Sequence, residues 1–176
     1  MLTPASSGGR VHRKSCDGAC CRRATAALSQ TFPTLRVLGI DIWNPALAIA
    51  VANVASFPAR DRIEIRKEDA CELRESKAFD LVWFPSPFFP ELKASAAVER
   101  AHRALRSGGW IIFVISAPSE EPLASSLNQL RTVRSGGHVW PERDAEALLR
   151  AQGFVDVRTL ERSWPEPVVF VTGRTL

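Results

Sequence analysis

Two carboxylates occupy corresponding places in the sequence, each at or near the end of a predicted strand. Asp41 comes near the end of residues 36–42 (RVLGIDI), and Asp69 closes residues 62–69 (RIEIRKED). The first segment is typical of a strand buried in a parallel sheet, and the second of a strand near a sheet edge. Open α/β sheets bind nucleotides at the carboxyl ends of their strands, where a carboxylate can accept hydrogen bonds from both ribose hydroxyls. The predicted chemistry of Asp41 is therefore ribose binding.

Asp41 has an alternative role, which is to cap the helix that follows it. Asn44 and Pro45 predict the start of that helix, with Asn44 as the N-cap and Pro45 at the first helical position. Because Asn44 fills the capping position, the sequence favours the ribose role for Asp41.

Strands and helices alternate around these two carboxylates. The expected strands are 36–42, 62–69, 79–84, 110–116, 155–162 and 168–173, and the expected helices are 23–32, 45–55, 92–106, 120–133 and 141–152. This alternation predicts an α/β fold with a Rossmann-like, mostly parallel sheet and helices on both faces. Only residues 163–167 separate the last two strands, which is too short for a parallel crossover, so the last strand should run antiparallel.

Length and charge exclude several classes of protein. The 176 residues suit one domain and contain no apolar run of the roughly 20 residues that a membrane span needs. The net charge of +4 comes from residues 1–23, where five basic residues accompany one acidic residue, and the remainder is neutral. We therefore expect a cytoplasmic protein with no membrane and no specific nucleic-acid partner.

Four potential metal ligands lie close together near the N-terminus: His12, Cys16, Cys20 and Cys21. Structural zinc sites usually draw two ligand pairs from separated segments, and this single run does not match that spacing. The sequence therefore predicts no metal site.

Five segments, in this order and spacing, resemble the class I S-adenosylmethionine-dependent methyltransferases of the small-molecule type. They are PTLRVLGIDIWNPALAIAVAN, IRKEDA, FDLVWFPSPF, RALRSGGWIIFVI and PERDAEALLRAQGFVDVRTLERSWPEPVVFVTGR. The similarity covers roughly residues 22–174. Its most characteristic part is the turn before 110–116, where Gly108 and Gly109 are expected to end the preceding helix with a left-handed cap.

The resemblance implies S-adenosyl-L-methionine as the cofactor and assigns roles to residues at the strand ends. Asp41 would hold the ribose hydroxyls, with Ile42 against the adenine. Asp69 and Ala70 would contact the adenine as well.

Phe84 and Pro85 would lie under the methionine portion and the reacting methyl group, by the same resemblance. Two interpretations of the nearby aromatic residues stay open: they line an apolar acceptor pocket, or they cover the sheet. The residues concerned are Phe84, Phe88, Phe89 and Trp140.

The N-terminal segment departs from the family. The family begins with an apolar strand and a glycine-rich loop that lets the backbone approach the methionine carboxylate. That loop should fall on residues 17–22 (DGACCR), where Gly18 is in register but Cys20 and Arg22 occupy glycine positions. The preceding GGRVHRKSC predicts no strand. We therefore expect a missing or irregular first strand, a disordered or irregular leader over 1–21 and a methyltransferase-like domain over 22–176.

These features predict methyl transfer from S-adenosylmethionine to a small apolar or aromatic molecule, with a homodimer as one possible assembly. One alternative is an inactive or truncated methyltransferase-like protein that acts as a binding or structural subunit. A nicotinamide dehydrogenase would need a G-x-G-x-x-G loop, which is absent. For a catalytic base the candidates are His102, His138 and Glu91, but packed, solvated and capping roles are expected for them, so no catalytic residue is assigned.

Overall fold

A seven-stranded sheet organises the residues that the computed structural model describes, namely 10–14, 32, 34–119, 121–164 and 167–176. Its strands in chain order are β1 (Arg10–Lys14), β2 (Arg36–Asp41), β3 (Ile63–Lys67), β4 (Phe79–Pro85), β5 (Leu105–Ser116), β6 (Val155–Thr159) and β7 (Val168–Arg174). Their order across the sheet is β3-β2-β1-β4-β5-β7-β6. β1 to β5 run parallel, and β7 pairs antiparallel with both β5 and β6. The predicted α/β fold and its antiparallel last strand are confirmed.

Four α-helices lie within the described residues: α1 (Asn44–Ala55), α2 (Glu91–Ala104), α3 (Pro122–Arg134) and α4 (Glu142–Ala151). Each matches an expected helix to within a few residues at its ends. The helix expected over 23–32 lies outside the described residues, apart from Phe32. None of these four helices is long and apolar enough to cross a membrane.

The expectation of a missing first strand is wrong. Residues 10–14 form β1 in the middle of the sheet, parallel to β2 on one side and to β4 on the other. The apolar pattern missed this strand because Val11 is the only aliphatic residue among four basic ones. Its backbone nevertheless pairs with β2 and β4, whose facing N–H and C=O groups would otherwise be left without partners. The rest of the expected leader, 1–9 and 15–21, lies outside the described residues, so the boundary at residue 22 stays a prediction.

The predicted glycine cap after α2 is also wrong. The helix ends at Ala104, and the next residue is already extended and paired with Phe79. Gly108, at φ +75°, lies inside β5, where the pairing with β4 shifts register. A Cβ on Gly109 would lie 2.9 Å from the Arg106 carbonyl oxygen. The two glycines therefore form an irregularity within a strand rather than a helix terminus.

The hydrophobic core lies between α2, α4 and the central strands. Phe79, Phe113 and Leu149 are fully buried there. The α2 face toward the core consists of small residues, Ala94, Ala97, Val98, Ala101 and Ala104, which allow the helix to lie close to the sheet. This packing holds α2 against the 3₁₀ helix that follows β3, and Lys93 of its first turn contacts Asp69 there.

Candidate functional site

Asp41 is the last residue of β2, and its side chain is held at the turn into α1. The residue is 7% exposed, and its Oδ1 accepts a hydrogen bond from the Trp43 backbone N–H at 2.8 Å. Its other oxygen accepts no hydrogen bond from a residue that the structure describes. Oδ1 of Asp41 therefore orders the turn, and no residue that the structure describes occupies Oδ2.

The predicted capping role of Asn44 is wrong. Asn44 is the first residue of α1, Trp43 occupies the N-cap position, and no side chain there caps the helix. Asp41 supplies the hydrogen bond to this turn instead, so the two roles weighed for Asp41 are compatible rather than exclusive.

Asp69 lies two residues after β3 and precedes the short 3₁₀ helix Ala70–Glu72. Its Oδ1 accepts from the Cys71 N–H at 3.0 Å, and its Oδ2 lies 3.1 Å from the Lys93 ammonium on α2. Partial burial raises the pKa of Asp69, but the Cys71 N–H and Lys93 outweigh it and hold this pKa below its usual value. In return, the Asp69 carboxylate raises the pKa of Lys93. Asp69 is therefore a fixed, ionised carboxylate at neutral pH, while Ala70 beside it is buried.

An open cleft of about 590 Å³ runs along this edge of the sheet. It is lined by Ile42, Arg66, Lys67, Glu68, Asp69, Glu72 and Arg74. Ile42 follows Asp41 directly and is 50% exposed, so its aliphatic surface is accessible to a ligand. The structure thus brings together Ile42 and Asp69, with Asp41 adjacent, as the sequence predicted.

The cleft wall is stiffened by an ion-pair network around Arg66. The guanidinium lies 2.7 Å from Glu75 and about 3 Å from Glu64 and Glu68, and hydrogen bonding to Glu75 raises its pKa. Sequence reasoning did not identify this network: Glu64, Arg66 and Glu68 all lie in segment 62–69, but the shortest contact is to Glu75, which lies outside that segment.

Phe84 lies in the core rather than at the cleft. It is 3% exposed and stacks on Phe113 at 5.1 Å, with Phe89 at 4.9 Å on another side. For Phe84 and Phe89 the sheet-covering interpretation is therefore correct, whereas Phe88 is partly exposed. Pro85, which ends β4, is buried too. Gly18 lies outside the described residues, so its role, like the methionine-side role of Phe84 and Pro85, stays a prediction.

A second, smaller cavity of about 230 Å³ opens at the carboxyl end of β5. Ser116 of β5, residues of α3 and Trp140 line it. Trp140 packs edge-on against Phe113 at 5.5 Å, and its indole N–H is buried without a hydrogen-bond partner among the described residues. Trp140 therefore lines this cavity and also packs against the core, so both interpretations stay open for this aromatic residue.

His138 and Glu91, which sequence analysis considered separately, form a pair. Nδ1 of His138 lies 3.3 Å from Oε2 of Glu91. Glu91 begins α2, directly after the turn that follows β4, and His138 belongs to the loop between α3 and α4. Their 47-residue separation leaves no local signal for this contact. His102, by contrast, packs against Phe154 at 4.8 Å. No group of three or more metal-ligating side chains occurs in the described part of the chain.

Comparison with known proteins identifies relatives of this chain in sequence and in fold. The family model described as a methyltransferase domain matches residues 17–109, more than half of the chain. Over 81 residues the chain is 30% identical to the ribosomal protein uL3 glutamine methyltransferase of Bordetella pertussis, a match covering 46% of this chain and 26% of that protein.

Two solved structures share the fold. One is the mitomycin 7-O-methyltransferase MmcR, with TM-score 0.78 and 20% identity over 97% of this chain and 50% of that one. The other is human N-acetylserotonin methyltransferase in complex with SAM, with TM-score 0.71 and 17% identity over 94% and 47%. The chain spans about half the length of these structures. Three observations agree: the family model matches residues 17–109, the strand order includes an antiparallel β7, and carboxylates end β2 and follow β3. They show that the chain belongs to the class I S-adenosylmethionine-dependent methyltransferase family.

Proposed function

We propose that this chain binds S-adenosylmethionine along the carboxyl edge of β2 and β3 and transfers its methyl group to a small aromatic molecule. The observation that carries the proposal is the placement of Asp41 and Asp69 at the ends of neighbouring strands, beside one cleft. This is the edge at which open α/β sheets bind nucleotides.

The chemistry of the described residues fits the adenosine half of the cofactor. Asp41 has an oxygen available for the hydroxyl donors of a ribose, and Asp69 can accept from an exocyclic amine through lone pairs that Cys71 and Lys93 do not use. Ile42 offers an exposed aliphatic surface for a flat base. The cleft of about 590 Å³ has room for a nucleoside.

The bound cofactor supplies a methyl group on a sulfonium, which is already activated for displacement. The tasks left to the chain are to align the acceptor with that methyl group and to exclude water. Asp41 and Asp69 would hold the nucleoside end of the cofactor.

Calorimetric titration of the full chain with S-adenosylhomocysteine tests the proposal. Saturable one-to-one binding, weakened by substitution of Asp41, is the expected result. A folded chain that shows no binding would refute it and would favour the alternative of an inactive methyltransferase-like subunit.

A protein acceptor is the second candidate, because the Bordetella pertussis relative is named for glutamine methylation of a ribosomal protein. Transfer of a radioactive methyl group to a glutamine-containing peptide, and not to small aromatic molecules, would favour it over the proposed acceptor class.

A further inference from the structure

The inward face of α3 is polar, whereas a helix that packs against a core usually turns an apolar face inward. Ser125, Asn128 and Thr132 line the cavity at the end of β5, and Thr132 is buried. They recur at every third or fourth position, so they share one side of the helix. The Thr132 hydroxyl donates a hydrogen bond to the Asn128 carbonyl oxygen at 3.0 Å. α3 therefore directs a polar surface, and not an apolar one, toward the rest of the chain.

The outward face of α3 carries the large apolar side chains of this helix. Leu123, Leu127 and Leu130 are 65%, 45% and 53% exposed. Their spacing of four and three residues forms one stripe along the helix, on the side opposite the polar face. Val133, which is 62% exposed, lies beside the end of this leucine stripe. Single exposed apolar residues are ordinary, but a contiguous patch of them marks an interaction site.

The charges of α3 select the orientation of a helix that could cover the leucine stripe. Glu121 directly precedes the first turn, and Arg131 and Arg134 belong to the last turn. None of these three side chains is paired with another residue that the structure describes. A second α3 lying parallel would bring like charges together at both ends. An antiparallel copy would instead bring the acidic end of each helix to the basic end of the other, which is favourable.

From these observations we propose that the leucine stripe is the contact surface of a homodimer, in which two copies of α3 pack antiparallel about a twofold axis. Such an interface uses the same patch on both protomers, so the patch must be complementary to itself. In the register that fits, Leu127 lies against the partner's Leu130, and Leu130 against the partner's Leu127. The aliphatic stem of Arg134 then covers the partner's Leu123. The inference does not depend on the proposed function, because it requires no ligand.

The residues that flank the leucine stripe leave room for this contact. On one side of the stripe, Ser126 faces the partner's Val133. On the other side, Ala124 faces the partner's Arg131, so each large side chain meets a small one. The Ser126 hydroxyl already donates to the Pro122 carbonyl oxygen at 2.9 Å, and its burial leaves no donor without a partner.

The size of the contact sets the expected affinity. α3 has 13 residues and is therefore about 20 Å long. A contact made by one helix of each protomer is at the low end of specific interfaces, below roughly 1,200 Å². We therefore expect a reversible dimer with a dissociation constant in the micromolar range.

Sedimentation equilibrium of the full chain over a series of concentrations measures this association. Combining Leu127→Glu with Leu130→Glu should raise the dissociation constant at least about 10-fold, because it places charge at the centre of the contact. The fold should be retained, since both leucines are about half exposed and glutamate is nearly as good a helix former as leucine. Leu92→Glu is the matched control: Leu92 is 96% exposed on α2, outside the stripe, and its replacement should leave the dissociation constant unchanged.

A charge exchange tests the orientation of the two helices. E121R and R134E should each weaken the dimer, because each places like charges at facing ends of an antiparallel pair. The double variant E121R/R134E should restore the affinity, because the facing ends again carry opposite charges. Thermal unfolding of each variant shows that the chain remains folded.

Three outcomes would overturn the proposal. The first is an unsubstituted chain that stays monomeric up to a concentration of about 100 μM, well above micromolar dissociation constants. If that monomer also melts at a lower temperature with L127E/L130E but not with L92E, another part of the same chain covers the stripe. The second is a dimer whose dissociation constant does not change in L127E/L130E. The third is a double charge variant that associates no better than either single variant, which would refute the antiparallel arrangement.

Discussion

Replacement of Asp41 by asparagine isolates the ligand-binding half of this carboxylate. The asparagine side chain has the same shape, and its carbonyl oxygen can still accept the Trp43 N–H, so the turn into α1 should survive. The substitution removes the negative charge. It also replaces the second carboxylate oxygen, a hydrogen-bond acceptor, with an NH₂ group, which is a donor.

The structure sets the size of the effect. One oxygen of Asp41 is already used by Trp43, so in the proposed complex the ribose hydroxyls would bind mainly to the other one. A hydrogen bond to a charged group contributes about 1.5–3 kcal/mol. Loss of one such bond should weaken S-adenosylhomocysteine binding by about 10- to 100-fold, since 1.4 kcal/mol corresponds to tenfold.

Isothermal titration calorimetry measures the dissociation constants, and thermal unfolding shows whether the variant is folded. Asp61→Asn is the matched control, because the Asp61 side chain is 90% exposed and lies outside the cleft lining. A D41N chain that is folded and binds within twofold of the unsubstituted chain would refute the ribose role of Asp41.

Two further predictions follow from contacts near the site. The pKa of Asp69 is lowered in the folded chain, so its pairing with Lys93 stabilises the fold above the unfolded pKa of about 4, and this stabilisation is lost as the pH falls through the folded pKa. The melting temperature of K93M should therefore fall less on acidification than that of the unsubstituted chain. An unchanged dependence of melting temperature on pH would contradict the pairing. Gly137→Ala should lower the free energy of unfolding by about 1–3 kcal/mol, because the added Cβ would overlap the Pro87 carbonyl. Urea denaturation measures this change. An unchanged midpoint would contradict the packing of the loop between α3 and α4 against Pro87.

The sequence predicted those parts of the fold in which local pattern and tertiary position agree. The aliphatic run of β2 indicated a buried strand and, with it, the position of Asp41. The short link before β7 required an antiparallel strand. β1 was not predicted, because its position depends on backbone pairing with two neighbouring strands and not on its own basic side chains.

The positions of candidate site residues were predictable where a single residue lies at a strand end, as for Asp41 and Asp69. They were not predictable where two side chains distant in sequence form a pair. Lys93 and Asp69 belong to different elements, and so do His138 and Glu91. The location of the Phe84 side chain was not predictable either, since a phenylalanine at a strand end can face either a cavity or the core.

The place of β7 in the sheet has a consequence for how the chain is made. β5 is among the most apolar segments, and one of its edges is paired only by residues 168–174, more than fifty residues later. During synthesis that edge stays open until the last strand has left the ribosome. Exposed strand edges of this kind associate with other chains, so the interval before β7 docks is the period of greatest risk of aggregation. Co-expression with a chaperone should therefore increase the soluble yield more at fast than at slow rates of synthesis.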